Sequence, residues 1–223
     1  MGLIALDVYG TLVDPAGIVS ELIKTFGERA TEAARVWREK QLEFSFRRGL
    51  MRKYADFDAC TAQALRYISA QLGVVLSETD ERVLLEFWLH LPAFPDAHTG
   101  LEMLKRAGHE FVALTNGTER SVRGLLQNAG IIGYFTAILS ADQVGTFKPD
   151  PAVYALLKGA RETHGNTWLV SSNPFDVIGA KACGLSAAWL RRDPRRVFDP
   201  WELSPDIVVR TLEELPGELR RMG

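Results

Sequence analysis

The chain has 223 residues, 47% hydrophobic and 24% charged, with a formal net charge of −2. That length fits one large domain or a core with a smaller insertion, and it can bury a sizeable core without staples. The near-neutral charge gives no pull toward nucleic acid or an anionic membrane. No apolar run approaches membrane-spanning length, and the two cysteines, Cys60 and Cys183, form neither a CxxC pair nor a zinc spacing.

The opening MGLIALDVYG lacks the basic region and long apolar run of a signal peptide. A cytoplasmic location is therefore expected, with both cysteines read as small buried hydrophobes in a reducing compartment. Leu3 to Leu6 is a continuous apolar run that ends in an acid, the pattern of a strand buried on both faces. Gly10 marks the turn after it. Residues 17 to 91 read as almost wholly helical. Apolar residues recur at three- and four-residue spacing through Ile18, Leu22, Ile23 and Phe26, then Ala62, Leu65, Ile68 and Leu72, then Leu84, Phe87, Trp88 and Leu91.

After Pro92 and Pro95 the pattern changes. Gly100–Ala107 is predicted helical, Glu110–Leu114 a strand, Glu119–Gly130 a helix and Ala137–Ser140 a strand. Pro151–Arg161 is a predicted helix with Pro at its first position, and Thr167–Val170 is a strand. Phe175–Cys183 is a helix stopped by Gly184, and Ala187–Leu190 and Ile207–Val209 are the last strands. Strand–helix alternation of this kind implies a parallel sheet covered by helices. The fold class expected is α/β, a Rossmann-like parallel sheet core (1–15 and 93–223) with an inserted helical cap (16–92). Arg191, Arg192, Arg195 and Arg196 read as a solvated loop.

Sites in such sheets lie at the carboxyl ends of the strands. Asp7, Thr115-Asn116 and Ser171-Ser172-Asn173 all fall there. A strand-end carboxylate can attack carbon or phosphorus and form an ester. On its own segment, Asp7 is equally consistent with an acid that caps a turn. Lys148, fixed in place by the Pro-Asp-Pro that follows, could keep such a carboxylate ionised. Asp176 could hold Lys148 or a water, or simply favour the first turn of its helix. The four histidines show no ligand spacing.

Four ordered segments carry a family resemblance: Asp7-x-Tyr-Gly-Thr-Leu, Leu114-Thr-Asn-Gly, Lys148-Pro and Ser171-Ser-Asn-x-x-Asp176. They resemble the four motifs of the haloacid dehalogenase superfamily. The resemblance implies a capped Rossmann-like core and a covalent aspartyl intermediate. Most members of that superfamily are magnesium-dependent phosphatases with a second Asp two residues after the nucleophile. Here that position is Tyr9, and Ser172 and Asn173 stand where an acidic metal ligand is usual. Such a site is poor in the oxygen charge that magnesium needs.

The segment from Val36 to Ser45, with Tyr54-Ala55-Asp56-Phe57, is similar to the cap of the 2-haloacid dehalogenases. By that resemblance Arg38 would face the leaving halide and the substrate carboxylate. Tyr9, Leu42, Phe57 and Phe175 would form an apolar pocket, and Tyr154 would sit near the nucleophile. Two positions differ from that subfamily. Thr115 stands where Ser is usual, and Glu39 where Gln is common, so an inward Glu39 would disfavour an anionic substrate.

The resemblance thus implies hydrolysis of short L-2-haloacids to 2-hydroxy acids. Asp7 would displace halide from C2, with Arg38 and Asn116 on the halide and Thr11 and Ser171 on the substrate carboxylate. Asn173 and Asp176 would hold the hydrolytic water, and Lys148 would balance the charge of Asp7. No metal or other cofactor is expected. The expected partner is the haloacid, with no nucleic acid and no membrane, and the resemblance allows a homodimer. Two rivals are an altered small-molecule phosphatase and a non-catalytic scaffold. The retention of Asp7, Lys148 and Asp176 speaks against the second.

Overall fold

The computed structural model describes residues 2–159 and 167–222. Six strands form one parallel sheet: β1 (Leu3–Leu6), β2 (Glu110–Thr115), β3 (Phe135–Ser140), β4 (Thr167–Ser171), β5 (Ser186–Leu190) and β6 (Ile207–Val209). Their spatial order is β3-β2-β1-β4-β5-β6. The central strand β1 therefore pairs with β2 on one side (Leu6 opposite Ala113) and β4 on the other (Leu6 opposite Val170). Chain order reverses direction between β1 and β4, which is where a crevice opens at the carboxyl ends of an α/β sheet.

The continuous apolar run of β1 is explained by the two cores it joins. Ile4 and Leu6 enter one cluster, while Leu3 and Ala5 enter another on the opposite face. All four are buried, and each large side chain so placed contributes roughly 1.5–3 kcal/mol. The second cluster is closed by Val153 and Tyr154 of helix α7 (Pro151–Ala155) and by Val177 and Ala180 of α8 (Pro174–Ala182). Period-two alternation along β1 directs the next odd residue, Asp7, toward that same face.

Five α-helices lie between β1 and β2, and the first four fall in the expected cap: α1 (Val19–Phe26), α2 (Ala30–Met51), α3 (Phe57–Gln71) and α4 (Glu78–Trp88). No strand among the described residues interrupts them. Ile18, Leu22 and Phe26 are buried as expected, but Ile23 is exposed, because the core takes only the i, i+4 row of that helix. The chain leaves and rejoins the sheet region at adjacent points. Asp14 N–H donates to Pro92 O (2.8 Å), Phe94 N–H to Leu12 O (2.9 Å), and Val13 bridges Ala93.

The remaining helices are α5 (Ala97–Arg106), α6 (Glu119–Asn128) and α9 (Leu215–Met222). The last was not expected; it packs on α5 through Leu215 and Leu219. Helix α7 ends at Ala155 and, after a turn, helical residues resume at Lys158 and Gly159; the expected end at Arg161 lies outside the described residues. Cys60 is buried as expected, but Cys183 is only half-buried. No described helix is long and apolar enough to cross a membrane.

Candidate active site

Asp7 follows β1 directly, and its N–H still bonds to Val170 O at 3.0 Å. The chain then turns sharply. Gly10 sits at φ +87°, a conformation that side chains disfavour, and Gly10 N–H bonds to Val13 O (2.8 Å). This turn brings Thr11 back over Asp7. Thr11 Oγ1 donates to Asp7 Oδ2 (2.8 Å) and accepts from Ser172 N–H (2.9 Å). The turn is tied to the end of β4, since Ser172 Oγ donates to Gly10 O (2.6 Å).

The two oxygens of Asp7 have unequal surroundings. Oδ2 accepts from Thr11 Oγ1 (2.8 Å), Asn173 Nδ2 (2.8 Å) and Ser171 Oγ (3.3 Å). Among the described residues, Oδ1 accepts only from Lys148 Nζ (3.1 Å). Three donors therefore fix one oxygen, while the other keeps electron density free beside an ammonium. The structure gives the Thr11 and Ser171 hydroxyls to Asp7, not to the open space where the sequence reading put a substrate carboxylate.

Lys148 is 1% exposed and lies between two acids, Asp7 and Asp176, with Nζ 2.8 Å from Asp176 Oδ2. Its backbone N–H donates to Asn116 Oδ1 (2.8 Å), so the strand-end Asn of β2 sets the lysine's position. Burial pushes the ammonium toward its neutral form, but the charges of Asp176 and Asp7 outweigh this and hold its pKa above the ordinary value. Asp176 has no exposure. Burial, aided by the Asp7 charge, raises its carboxyl, while Lys148 pulls the other way. Its second oxygen accepts from Tyr154 Oη at 2.9 Å. Gly179 permits this assembly, because a Cβ there would lie 2.7 Å from Pro149 Cβ and collide with the Tyr154 hydroxyl.

Arg38 approaches from α2. Its Nη2 donates to Tyr9 O (3.3 Å) and its Nη1 to Gln41 Oε1 (2.7 Å). Gln41, one helical turn on, is fully buried and donates to Thr61 Oγ1 of α3. Burial pushes the Arg38 guanidinium down to about 10, so it stays charged at neutral pH. Tyr9 packs its ring against Phe57 (5.7 Å between centroids) and Trp88 (6.2 Å). Phe57 is buried, and Phe175 stacks edge-on against Phe46 of α2 (5.1 Å). Arg38, Leu42, Gly10, Ser172 and Asn173 line a cleft of about 590 Å³. Glu39 also borders the cleft, but its carboxylate pairs with Arg35 at 2.6 Å. Thr115 stands apart from the network; its hydroxyl accepts from Gly117 N–H (3.1 Å) and holds the turn after β2.

Sequence reasoning missed Gln41, although its position three residues after Arg38 places it on the same helix face. It also misread Arg192, which is not part of a solvated loop. Arg192 grips Thr11 O through Nε (3.0 Å) and Nη2 (2.6 Å) and pairs with Asp96 at 2.7 Å. Asp96 Oδ2 in turn accepts from Leu212 N–H (2.6 Å). Arg192→Ala would leave a buried acid unpaired and release the loop that carries Thr11. A loss of about 3 kcal/mol in urea unfolding is expected.

The donor set does not suit a divalent cation. The two oxygens best placed to share one, Asp7 Oδ2 and Tyr9 O, are already bridged by Asn173 Nδ2 at 2.8 and 3.2 Å. Lys148 occupies the space between the two carboxylates. Among the described residues no group of three His, Cys, Asp or Glu side chains converges as a metal site.

Residues 1–184 match the haloacid dehalogenase-like hydrolases. The chain belongs to that family. Within it, the chain is 35% identical to the (S)-2-haloacid dehalogenase of Pseudomonas sp. (strain YL) over 94% of this chain and 90% of that one. It is 34% identical to haloacetate dehalogenase H-2 of Moraxella sp. (strain B), covering 95% of each. Among solved structures it superposes on the L-2-haloacid dehalogenase of Xanthobacter autotrophicus with chloropropionic acid covalently bound. That match has a TM-score of 0.92, 31% identity and complete coverage of both chains. The expectations of an α/β fold and of membership in this hydrolase family both hold.

Proposed function

We propose that this haloacid dehalogenase-like hydrolase converts short (S)-2-haloacids to 2-hydroxy acids through an ester on Asp7. The observation that carries the reading is the asymmetry of the Asp7 carboxylate. Oδ2 is held by three donors, and Oδ1 is left beside Lys148 as the attacking atom. A phosphatase of this fold needs a second acid two residues on. Tyr9 stands there, with a ring that desolvates the site.

In the first step Oδ1 bonds to C2 as the carbon–halogen bond breaks, and the halide leaves with the bonding pair. Attack from the side opposite the halide inverts C2. Arg38 and the Nδ2 of Asn116 receive the halide. The substrate carboxylate lies against backbone N–H groups beside the Gly10 turn, and Leu42, Phe57 and Phe175 enclose its carbon chain. Thr11 and Ser171 serve by pinning Oδ2.

Esterification removes the charge of Asp7 and leaves Asp176 as the only partner of Lys148. Water held by Asn173 and Asp176 then attacks the Asp7 carbonyl carbon. One of its protons passes to Asp176, the ester C–O bond to Asp7 breaks, and the departing alkoxide takes that proton from Asp176 as the 2-hydroxy acid leaves, while the water's other proton goes from Asp7 to solvent. The helical segment 16–92 acts as the cap that closes over this chemistry, its ends joined where Asp14 meets Pro92. A cytoplasmic location suits an enzyme of small acids.

Halide release from chloro-, bromo- and fluoroacetate and from both 2-chloropropionate enantiomers tests this. The expected result is turnover of the (S) enantiomer only, changed less than about twofold by a chelator or added magnesium. Phosphate ester hydrolysis that rises with magnesium, without halide release, would overturn it.

A further inference from the structure

The cleft beside Asp7 is larger and more basic than a three-carbon haloacid requires. At about 590 Å³ it falls in the range that holds ligands several times that size. Four arginines line it: Arg35, Arg38, Arg192 and Arg196. Two are neutralised in place, Arg35 by Glu39 (2.6 Å) and Arg192 by Asp96 (2.7 Å). The other two have no carboxylate within 4.0 Å among the described residues. Arg38 bonds only to the neutral Gln41 and Tyr9 O. Arg196 donates Nη1 to Ser172 O at 3.3 Å, which leaves the rest of its fork open.

The acids of the cleft do not cancel these charges. Glu39 belongs to Arg35, and Asp193 is held by Arg195 at 2.9 Å. Asp14 uses one oxygen to cap its own turn. At Arg38 burial is the largest influence against the charged form, Asp7 and Tyr9 support that form, and the positive charge of Arg196 opposes it least strongly. Arg196 is exposed, and Asp199 and Asp193 draw on its charge without closing to ion-pair distance, so its fork stays open to an anion that accepts forked hydrogen bonds. Within the reaction, Arg38 already has the halide to receive.

We propose that Arg196 forms a subsite for a second carboxylate, so that this enzyme prefers 2-halo dicarboxylic acids of about the 2-halosuccinate length over haloalkanoic acids. The proposal rests on the dehalogenase reading and names its substrate class. Arg196 belongs to the Asp-Pro-Arg-Arg loop after β5, bound to the Ser172 carbonyl at the mouth of the site. It therefore reaches the far end of a substrate whose C2 lies at Asp7.

The test compares kcat/KM for (S)-2-chlorosuccinate and (S)-2-chloropropionate in the parent enzyme, Arg196→Gln, Arg196→Lys and Arg195→Gln. The parent is expected to favour the diacid by roughly tenfold or more. Arg196→Gln should cut the diacid-to-monoacid ratio by roughly tenfold, mainly through KM, and Arg196→Lys should restore most of it. Arg195, which points to solvent and pairs with Asp193, should leave the ratio unchanged.

A ratio that Arg196→Gln does not alter, or a parent that prefers the monoacid, would refute the subsite. Calorimetry with succinate and propionate gives an arm that needs no turnover. Tighter succinate binding that is lost in Arg196→Gln upholds the subsite even if no substrate releases halide, in which case only the dehalogenase reading fails. Halide release from 2-chloropropionate with succinate bound no better than propionate refutes the subsite alone.

Discussion

Asp7→Asn is expected to lower halide release by roughly 10⁴-fold or more, because an amide oxygen cannot displace halide to form a stable ester. The fold should survive the change. The amide oxygen can turn toward the three donors that hold Oδ2, namely Thr11, Ser171 and Asn173. The cost falls on the other side, where the amide NH₂ would face the Lys148 ammonium in place of Oδ1. Thermal unfolding of the variant therefore separates a chemical loss from a folding one. Rapid quenching of the parent with substrate should trap an adduct on the peptide containing Asp7, and Asp7→Asn should yield none. Halide release by Asp7→Asn at the parental rate would remove Asp7 from the mechanism.

Lys148→Met should damage both stability and rate. The side chain lies between Asp7 and Asp176 with 1% exposure. Removing the ammonium leaves two carboxylates in one dry site, at a cost of about 3–5 kcal/mol. Activity should fall by roughly 10²–10⁴-fold, since Asp7 loses the ammonium that aims its Oδ1. The pH dependence of the stability loss has a defined sign. In the parent, the raised Lys148 pKa contributes stability that is complete below the ordinary lysine value of about 10.4 and fades as pH rises through its folded value. In the variant, burial raises the Asp176 carboxyl with no ammonium to oppose it. A carboxyl raised in the folded state costs nothing below its unfolded value of about 3.9, and its penalty grows above that. The deficit against the parent should be small near pH 4 and wide at pH 7 in guanidinium unfolding. A deficit that is equal at both values would show that the lysine acts by packing alone.

Much of the sheet was legible because its strands are buried on both faces and so read as unbroken apolar runs. Leu3–Leu6 carried its bounds without error. The edge strand β3 did not: Phe135 and Thr136 face partly outward, and the expected strand began two residues late. Helix α9 was missed because it is only eight residues long and Gly217, a poor helix former, sits in its first turn. Its hold on α5 comes from Leu215 and Leu219, a tertiary contact that no local pattern contains.

At the site, Asp7, Lys148, Asp176, Asn173, Ser171, Thr11, Tyr154 and Asn116 do share one hydrogen-bonded network. Strand ends of a parallel sheet converge whether or not their residues are near in sequence. Which atom each donor would serve was not legible. Hydroxyl direction depends on the Gly10 turn, and that turn is fixed by Ser172 and Arg192 from 160 residues or more away in sequence. Arg192 looked like one of four loop arginines. Asp96, the Thr11 carbonyl and the Phe94 ring beneath its guanidinium distinguish it from Arg195.

The three donors on Oδ2 also limit how the nucleophile is renewed. Each turnover sends the Oδ1 atom out in the product hydroxyl and replaces it with an oxygen from water. If the carboxylate cannot rotate, the incoming atom occupies the Oδ1 position again, and the next substrate carries it away. In ¹⁸O-water the first product formed on each enzyme molecule would then be unlabelled and every later one fully labelled. A freely rotating carboxylate would instead pass on its older oxygen half of the time. Loosening the clamp with Thr11→Val, which removes one donor from Oδ2, should blur that one-cycle lag toward the mixed pattern, turning the isotopic record of successive products into a measure of how firmly Asp7 is held.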